Sequence, residues 1–182
     1  MMQCIGFLEL SSIARGVAAA DAMLKAASVT LLWARPNCPG KFTILVAGDV
    51  SAVDASLEAG ADAGGGPVIE KLLIARLHPQ VVRAIQESLP VPPHGALGLI
   101  EFFSITGAIL AADTAVKTAA VDLLDIRLGT GLGGKSFVAL TGETAAVAQA
   151  VEAGSVSGAE RGSLVDKVVI PNPAPGLYES LL

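Results

Sequence analysis

Apolar positions along the chain run through the same order of patterns twice. An apolar run over Gln3–Leu10 predicts a strand, and Ser11-Ser12 can cap the helix that follows it. Apolar residues then recur at intervals of four and three, which predicts one buried helical face made of Ile13, Val17, Ala20, Leu24 and Ala27. The same face recurs in the second half at Ile105, Ile109, Ala112, Val116 and Ala119.

The remainder of each half predicts two strands, a second helix and a closing strand. In the first half, β-rich runs at residues 29–33 and 42–47 are joined by a Pro- and Gly-containing loop. Asp49 stands at a cap position before the apolar helix positions Val50, Val53 and Leu57, and Val68–Leu77 closes the unit. The order β-α-β-β-α-β predicts an α+β fold of two tandem ferredoxin-like modules.

An internal repeat supports this division. At an offset of 92 residues, 13 of the 31 positions from Ile5 to Arg35 are identical to the second half. A two-residue insertion then moves the offset to 94, which pairs His78-Pro79 with Asn172-Pro173. Prolines in residues 88–95 break helix and strand alike, so we expect a first domain over residues 1–87, a linker over 88–95 and a second domain over 96–182.

Composition narrows the possible partners. Hydrophobic residues make up 52% of the chain and charged residues 16%, which is ample for a packed core. The net charge of −5 argues against a nucleic-acid partner. The most apolar stretch, residues 105–121, is interrupted by Asp113 and Lys117, and no signal-peptide pattern opens the chain. We therefore expect no membrane association and a cytoplasmic location.

Three segments in each half carry a family resemblance. Residues 6–9 (Gly-Phe-Leu-Glu), 21–29 and 47–50 resemble the bacterial microcompartment (BMC) shell-protein domain, and residues 98–101, 113–117 and 141–143 repeat the signature. The chain looks closest to tandem-domain shell proteins of propanediol-utilisation compartments that carry an iron–sulfur centre. The resemblance implies a homotrimer shaped as a pseudohexameric tile, which packs edge to edge with other shell proteins into a shell enclosing enzymes. It implies no catalytic activity.

Two sets of site residues follow from the resemblance. Lys25 and Lys117 fall on the family's edge lysine, which lies along the lysine of the neighbouring tile; from spacing alone, each is a solvated helical lysine. The loop between the second and third strands of each module corresponds to the family's pore-lining loop. The pore-lining positions implied are Pro36, Asn37, Cys38, Pro39 and Gly40 in the first module, and Gly129, Thr130, Gly131, Leu132, Gly133 and Gly134 in the second.

The two cysteines differ in their surroundings. Cys4 lies in the first strand and is expected to be a buried small hydrophobe, whereas Cys38 lies in an exposed Pro-Gly loop. Within one chain, a lone cysteine indicates no metal site. In the implied trimer, three Cys38 thiolates would converge on the threefold axis and suit three irons of a 4Fe-4S cluster, with zinc as a lesser alternative. Lys41 and Lys135 could offset the charge of the cluster.

The second loop imitates a nucleotide-binding motif. Residues 129–136 satisfy G-x-x-x-x-G-K-S, which requires a following helix whose N-terminal amides meet the phosphate. Residues 137–142 instead read as a strand, so we expect a hairpin and reject nucleotide binding. His78 and His94 read as loop histidines. The acidic residues repeated in both halves read as fold or assembly contacts: Glu9, Glu101, Asp21 and Asp113.

Three functions remain open at this point. The leading hypothesis is a shell tile whose cluster passes electrons or cluster units across the shell, with an enclosed redox enzyme as a further candidate partner. A tile with a metabolite pore and no cluster is the first alternative. A small ligand-binding or enzymatic ferredoxin-like protein is the second, and its oligomeric state would distinguish it from a tile.

Overall fold

A computed structural model describes residues 3–86, 94–161, 164–174 and 176–178. The chain divides into two compact units, Met1–Leu77 and His78–Leu182. Apart from His94 and Gly95, the interval 88–95 that the sequence indicates as a linker lies outside the described residues. Among the described residues, no helix has both the length and the apolar character needed to span a bilayer.

The first unit is a four-stranded antiparallel sheet with two helices. The strands lie in the order β2-β3-β1-β4, the ferredoxin-like order that the sequence predicts. Ser12 caps the first helix by accepting a hydrogen bond from the Arg15 amide at 3.3 Å. The elements of this unit are β1 (Gln3–Leu10), α1 (Ile13–Ala26), β2 (Thr30–Asn37), β3 (Lys41–Gly48), α2 (Val50–Gly64) and β4 (Val68–Leu77).

The second unit repeats this fold after one additional helix. Its sheet has the order β6-β7-β5-β8, and Ser104 caps α4 as Ser12 caps α1. The prediction of two tandem ferredoxin-like modules is therefore confirmed. The elements of this unit are α3 (Pro79–Gln86), β5 (Ala96–Phe102), α4 (Ile105–Thr118), β6 (Val121–Leu128), β7 (Ser136–Gly142), α5 (Thr144–Ala159) and β8 (Leu164–Ile170).

Helix α3 is an element that the hydrophobic pattern alone did not reveal. It packs against α4 and β6, so it groups with the second unit, although the sequence division assigned residues 78–87 to the first domain. Pro79 at its first position and the buried Val81 and Val82 are the sequence signals for this helix.

The buried face of α1 differs from the prediction. The helix packs against α2 and its sheet through Gly16, Ala19, Ala20 and Met23. Of the larger residues expected to be buried, Ile13, Val17 and Leu24 are exposed. The prediction was wrong for those three because the helix packs through the adjacent stripe, in which Gly16, Ala19 and Ala20 let α1 approach the layer beneath it and Met23 is fully buried. The equivalent Ile105 and Ile109 of α4 are buried, as predicted.

Candidate functional site

The first candidate loop is the tight turn between β2 and β3. Strand β2 continues to Asn37, so Pro36 and Asn37 end the strand and only Cys38, Pro39 and Gly40 lie between the two strands. The Gly40 amide donates to the Asn37 carbonyl at 2.9 Å and closes the turn. Gly40 has φ of +91°, a backbone conformation that favours glycine.

Cys38 occupies the tip of this turn. Its side chain is partly buried rather than fully exposed, whereas Cys4 lies in the core of the first module, as expected. Burial raises the pKa of the Cys4 thiol, with a smaller contribution from the negative charge of Asp54. A thiol that remains protonated is a poor nucleophile and a poor metal ligand. Cys38 is therefore the cysteine that is placed for chemistry.

The second candidate loop, between β6 and β7, is longer and contains no sulfur. The Gly129 amide donates to the Lys135 carbonyl at 3.1 Å, and the Lys135 amide donates to the Leu132 carbonyl at 3.1 Å. Gly131 and Gly133 are exposed and have positive φ. The loop leads directly into strand β7, as expected, so no helix N-terminus follows the G-x-x-x-x-G-K-S motif.

An ion pair joins the base of each loop to an inner strand of its sheet, β1 in the first module and β5 in the second. Lys41 Nζ lies 2.8 Å from Glu9 Oε2 in the first module, and Lys135 Nζ lies 2.9 Å from Glu101 Oε1 in the second. The two lysines expected to offset cluster charge are thus each paired with a carboxylate. Of the two interpretations open for Glu9 and Glu101, contacts of the fold or contacts of assembly, these ion pairs provide the first.

A second ion pair, between a lysine and an aspartate, occurs on the first helix of each module. Lys25 Nζ lies 2.6 Å from Asp21 Oδ2, and Lys117 Nζ lies 2.5 Å from Asp113 Oδ2. Asp113 also accepts a hydrogen bond from the backbone amide of His78 at 2.8 Å, a contact that the sequence did not reveal. The Nδ1 atom of the His78 imidazole accepts a hydrogen bond from the backbone amide of Gln80 at 3.3 Å.

Comparison with known proteins identifies the fold family. The BMC domain matches residues 4–77 and, separately, residues 96–173. The chain belongs to the BMC domain family. This tandem BMC protein is 38% identical over 182 residues to the bacterial microcompartment shell protein PduT of Citrobacter freundii, covering 100% of this chain and 99% of the relative.

Two further relatives fit this assignment. A crystal structure of a microcompartment protein from Desulfitobacterium hafniense DCB is 52% identical, with a TM-score of 0.93, covering 98% of this chain and 99% of that one. The carboxysome shell protein CcmK2 of Thermosynechococcus vestitus is 44% identical over 78 residues, which is 41% of this chain and 76% of the relative. The resemblance read from residues 6–9, 21–29 and 47–50 is confirmed, and the protein is a tandem-domain shell protein of bacterial microcompartments.

A single copy of the tandem BMC protein offers one loop thiol, that of Cys38. Within the described part of the chain, no three His, Cys, Asp or Glu side chains are grouped closely enough to hold a metal ion. Cys38 fits as one thiolate of an iron–sulfur site, since its sulfur lies at a partly exposed loop tip. Further thiolates would have to come from further copies of the chain.

Proposed function

We propose that the chain forms a homotrimeric, pseudohexameric tile of a microcompartment shell and holds a 4Fe-4S cluster on its threefold axis. Cys38 of each copy would supply one thiolate, and the cluster would carry electrons or cluster units across the shell. An electron donor on one side and an acceptor on the other, one of them an enclosed redox enzyme, are the partners that this role requires. The chain itself acts by assembly and binding rather than by catalysis.

The observation that carries this proposal is the difference between two equivalent hairpins. The β2–β3 hairpin presents Cys38 at its tip, while the β6–β7 hairpin presents glycine, threonine and leucine. In a ring of three chains, the two kinds of loop alternate, and three sulfurs surround the axis. Three thiolates match three irons of a cubane, and the fourth iron takes a ligand from elsewhere.

Thiolate chemistry supports iron over other metals at this position. A thiolate is soft and anionic, so it stabilises the iron ions of the cluster both covalently and by charge. Zinc bound by three thiolates and a water is the competing occupant. Because Lys41 is paired with Glu9, its positive charge is largely offset before any cluster binds.

Anaerobic purification followed by iron and sulfide analysis tests the cluster. We expect about four irons and four sulfides per three chains, with a rhombic or axial EPR signal on reduction or oxidation. Cys38→Ser should lose this iron, while Cys4→Ala should keep it, since Cys4 lies in the core. Full iron content in Cys38→Ser would contradict the proposal, and zinc in its place would favour the competing metal.

The second loop supports one alternative, a tile with a metabolite pore and no cluster. Gly131 and Gly133 are exposed and bring no side chain to the loop tip, which leaves room for a small solute. Metal content separates the two functions. Protein prepared anaerobically and reconstituted with iron and sulfide, yet free of both, would favour the pore.

We further propose that Lys25 and Lys117 lie at the tile edge and mediate contacts between tiles. Each lysine sits in the last turn of the first helix of its module, paired with an aspartate one turn earlier. Lys25→Ala is expected to abolish sheets of tiles in electron micrographs while the trimer persists in solution. Lys71→Ala removes an exposed lysine paired with Glu58 and serves as the control. Intact sheets in Lys25→Ala would argue against this edge role.

A further inference from the structure

Matching arginines lie on the strands that lead into the two candidate loops. The repeat offset of 92 residues pairs Arg35 of β2 with Arg127 of β6. In the sheets, Arg35 lies opposite Thr43 of β3, and Arg127 lies opposite Phe137 of β7. Both arginines are exposed, so the repeat places one guanidinium group near the base of each loop.

In the second module, the arginine and the lysine at the base of the loop are each paired with a carboxylate. Arg127 Nε lies 2.6 Å from Oδ2 of Asp125, whose side chain is 9% exposed. Lys135 Nζ lies 2.9 Å from Oε1 of Glu101. At the base of the loop without sulfur, each of these two positive charges is therefore offset.

In the first module, the arginine contacts an aromatic ring instead. Trp33 occupies the repeat position of Asp125, and the Arg35 guanidinium carbon lies 4.4 Å from the centroid of the Trp33 ring. None of the ion pairs among the described residues includes Arg35. A cation–π contact holds a guanidinium group in place without neutralising its charge. Since Lys41 is paired with Glu9, Arg35 supplies a positive charge that has no counter-charge in the described part of the chain.

Arg35 is near enough to Cys38 for its charge to act on a bound cluster. It precedes Cys38 by three residues, so at the rise of a β-strand the two Cα atoms lie within about 10 Å of each other. Exposed charges interact over this distance when the Debye length exceeds it, as it does at about 0.01 M salt. In the proposed trimer, three arginines surround the axis together with the three sulfurs.

A positive charge at this position favours the reduced state of a cluster. Reduction adds one electron to the irons and sulfides while the thiolates stay the same, so the reduced form carries one more negative charge than the oxidised form. The attraction to Arg35 is therefore stronger after reduction. An aspartate in place of Trp33 would cancel most of this attraction, which is the arrangement of Asp125 and Arg127 in the second module.

We propose that Arg35 raises the reduction potential of the cluster bound by Cys38, and that Trp33 holds the guanidinium group in place without cancelling its charge. Arg35 does not ligate iron and acts on the cluster only through its charge. The inference rests on the proposed 4Fe-4S cluster and adds which residue sets its potential. The module that supplies the sulfur also supplies the uncompensated positive charge.

Redox titration of the full-length protein, purified anaerobically, tests the role of this charge. Dithionite and mediators set the potential in about 0.01 M salt, and EPR measures the amount of reduced cluster. At the wild-type midpoint, Arg35→Gln is expected to lower the ratio of reduced to oxidised cluster about fivefold with unchanged iron content. Arg35→Lys keeps the charge and should stay near the wild-type ratio. In about 1 M salt, where the Debye length is only about 3 Å, the effect of Arg35→Gln should shrink.

Two further variants separate the effect of charge from the loss of a side chain. Asp125→Asn together with Arg127→Gln removes the neutral pair of the second module and is the matched control, which should leave the midpoint unchanged. Trp33→Asp keeps Arg35 but gives it a carboxylate partner. It should lower the midpoint as Arg35→Gln does, and it provides the comparison if Arg35→Gln fails to hold iron.

The outcomes distinguish this inference from the cluster proposal. A wild-type midpoint at low salt in iron-loaded Arg35→Gln or Trp33→Asp would overturn the role of Arg35 and leave the cluster in place. An equal shift in the double variant of Asp125 and Arg127 would also overturn it. Wild-type protein that holds no cluster after reconstitution with iron and sulfide would overturn the cluster and this inference together.

Discussion

Lys41 and Glu9 form an ion pair with an N–O distance of 2.8 Å that joins the end of the cysteine loop to β1, an inner strand of its sheet. The Glu9 side chain is 8% exposed, whereas Glu101, its partner in the repeat, is 36% exposed. One pairing thus occurs in two environments within a single chain. The buried pair should contribute more to the free energy of unfolding, because a carboxylate that loses its partner inside the protein cannot be solvated by water.

Replacing the two lysines tests this difference. Lys41→Met is expected to cost about 2 kcal/mol of unfolding free energy, because it leaves the Glu9 carboxylate buried and unpaired. Lys135→Met should cost less than about 1 kcal/mol, since both partners there are solvated. Urea denaturation followed by circular dichroism measures both. Equal losses, or a larger loss for Lys135→Met, would refute this assignment.

The two cysteines should differ in reactivity and in their effect on pH stability. In cluster-free native protein, we expect a maleimide to label Cys38 and to leave Cys4 unreacted until the chain is denatured. Cys38→Ser should then show no rapidly reacting thiol. Rapid labelling of that variant would mean that Cys4 is accessible.

Burial raises the pKa of the Cys4 thiol, and this direction determines how the contribution of Cys4 to stability changes with pH. Its stabilising contribution is complete below the pKa of the unfolded thiol, about 8.5, and is lost as pH rises towards the native pKa, because only the unfolded chain releases the proton. Cys4→Ala should therefore lose less stability between pH 7 and pH 10 than its Cys4-containing parent, both in a Cys38→Ser background. Identical pH profiles in urea denaturation would contradict this.

The crossing of α4 and α5 depends on a glycine. A Cβ added at Gly158 would lie 2.6 Å from the Gly107 carbonyl oxygen, a backbone atom that can move only with its helix. Gly158→Ala is therefore expected to destabilise the second module by about 1–3 kcal/mol. Gly66→Ala is the control, because a Cβ there meets nothing within 4 Å. Thermal unfolding should separate the two variants, and equal midpoints would argue against a close helix crossing.

Helix α5 has a side-chain cap that its counterpart α2 lacks. Glu143 accepts hydrogen bonds from the Ala145 and Ala146 amides at 3.0 and 3.2 Å, while Asp49 makes no such bond. Glu143→Ala should cost about 1 kcal/mol of unfolding free energy, and Asp49→Ala only a few tenths. Denaturant titration of the two variants checks the difference. A larger loss for Asp49→Ala would show that its cap operates in solution.

The strands and helices of both modules could be predicted because each depends on local signals. A continuous apolar run, serine caps and Pro-Gly loops define β1, α1 and the β2–β3 hairpin without reference to any distant residue. The loop at residues 129–136 shows that the element following a motif determines whether the motif can bind phosphate. Its glycines fit a phosphate-binding pattern, yet the strand after it, predicted from the repeat, leaves no helix N-terminus for a phosphate.

Burial of the first helix could not be predicted in the same way. The spacing of Ile13, Val17 and Leu24 shows that these residues share one face of α1, but spacing cannot show what that face meets. The adjacent stripe, which contains Gly16 and Met23, makes the buried contacts instead: Gly16 lies against Phe42 of the sheet, and Met23 lies against Gly60 of α2. The pairing of Lys41 with Glu9 joins residues 32 positions apart, and no local pattern specifies such a partner.

The duplication, the ferredoxin-like order of each module and the single sulfur-bearing loop can be read from the amino-acid sequence, and the BMC family is indicated by the residues at positions 6–9, 21–29 and 47–50. These properties follow from periodicity and from residue identity, which are local. The folded structure was needed to show that the start of α3 covers Asp113 while Asp21 is exposed. Burial depends on which surfaces the folded chain brings together, and two nearly identical helices acquire different surroundings when a single connecting segment covers one of them.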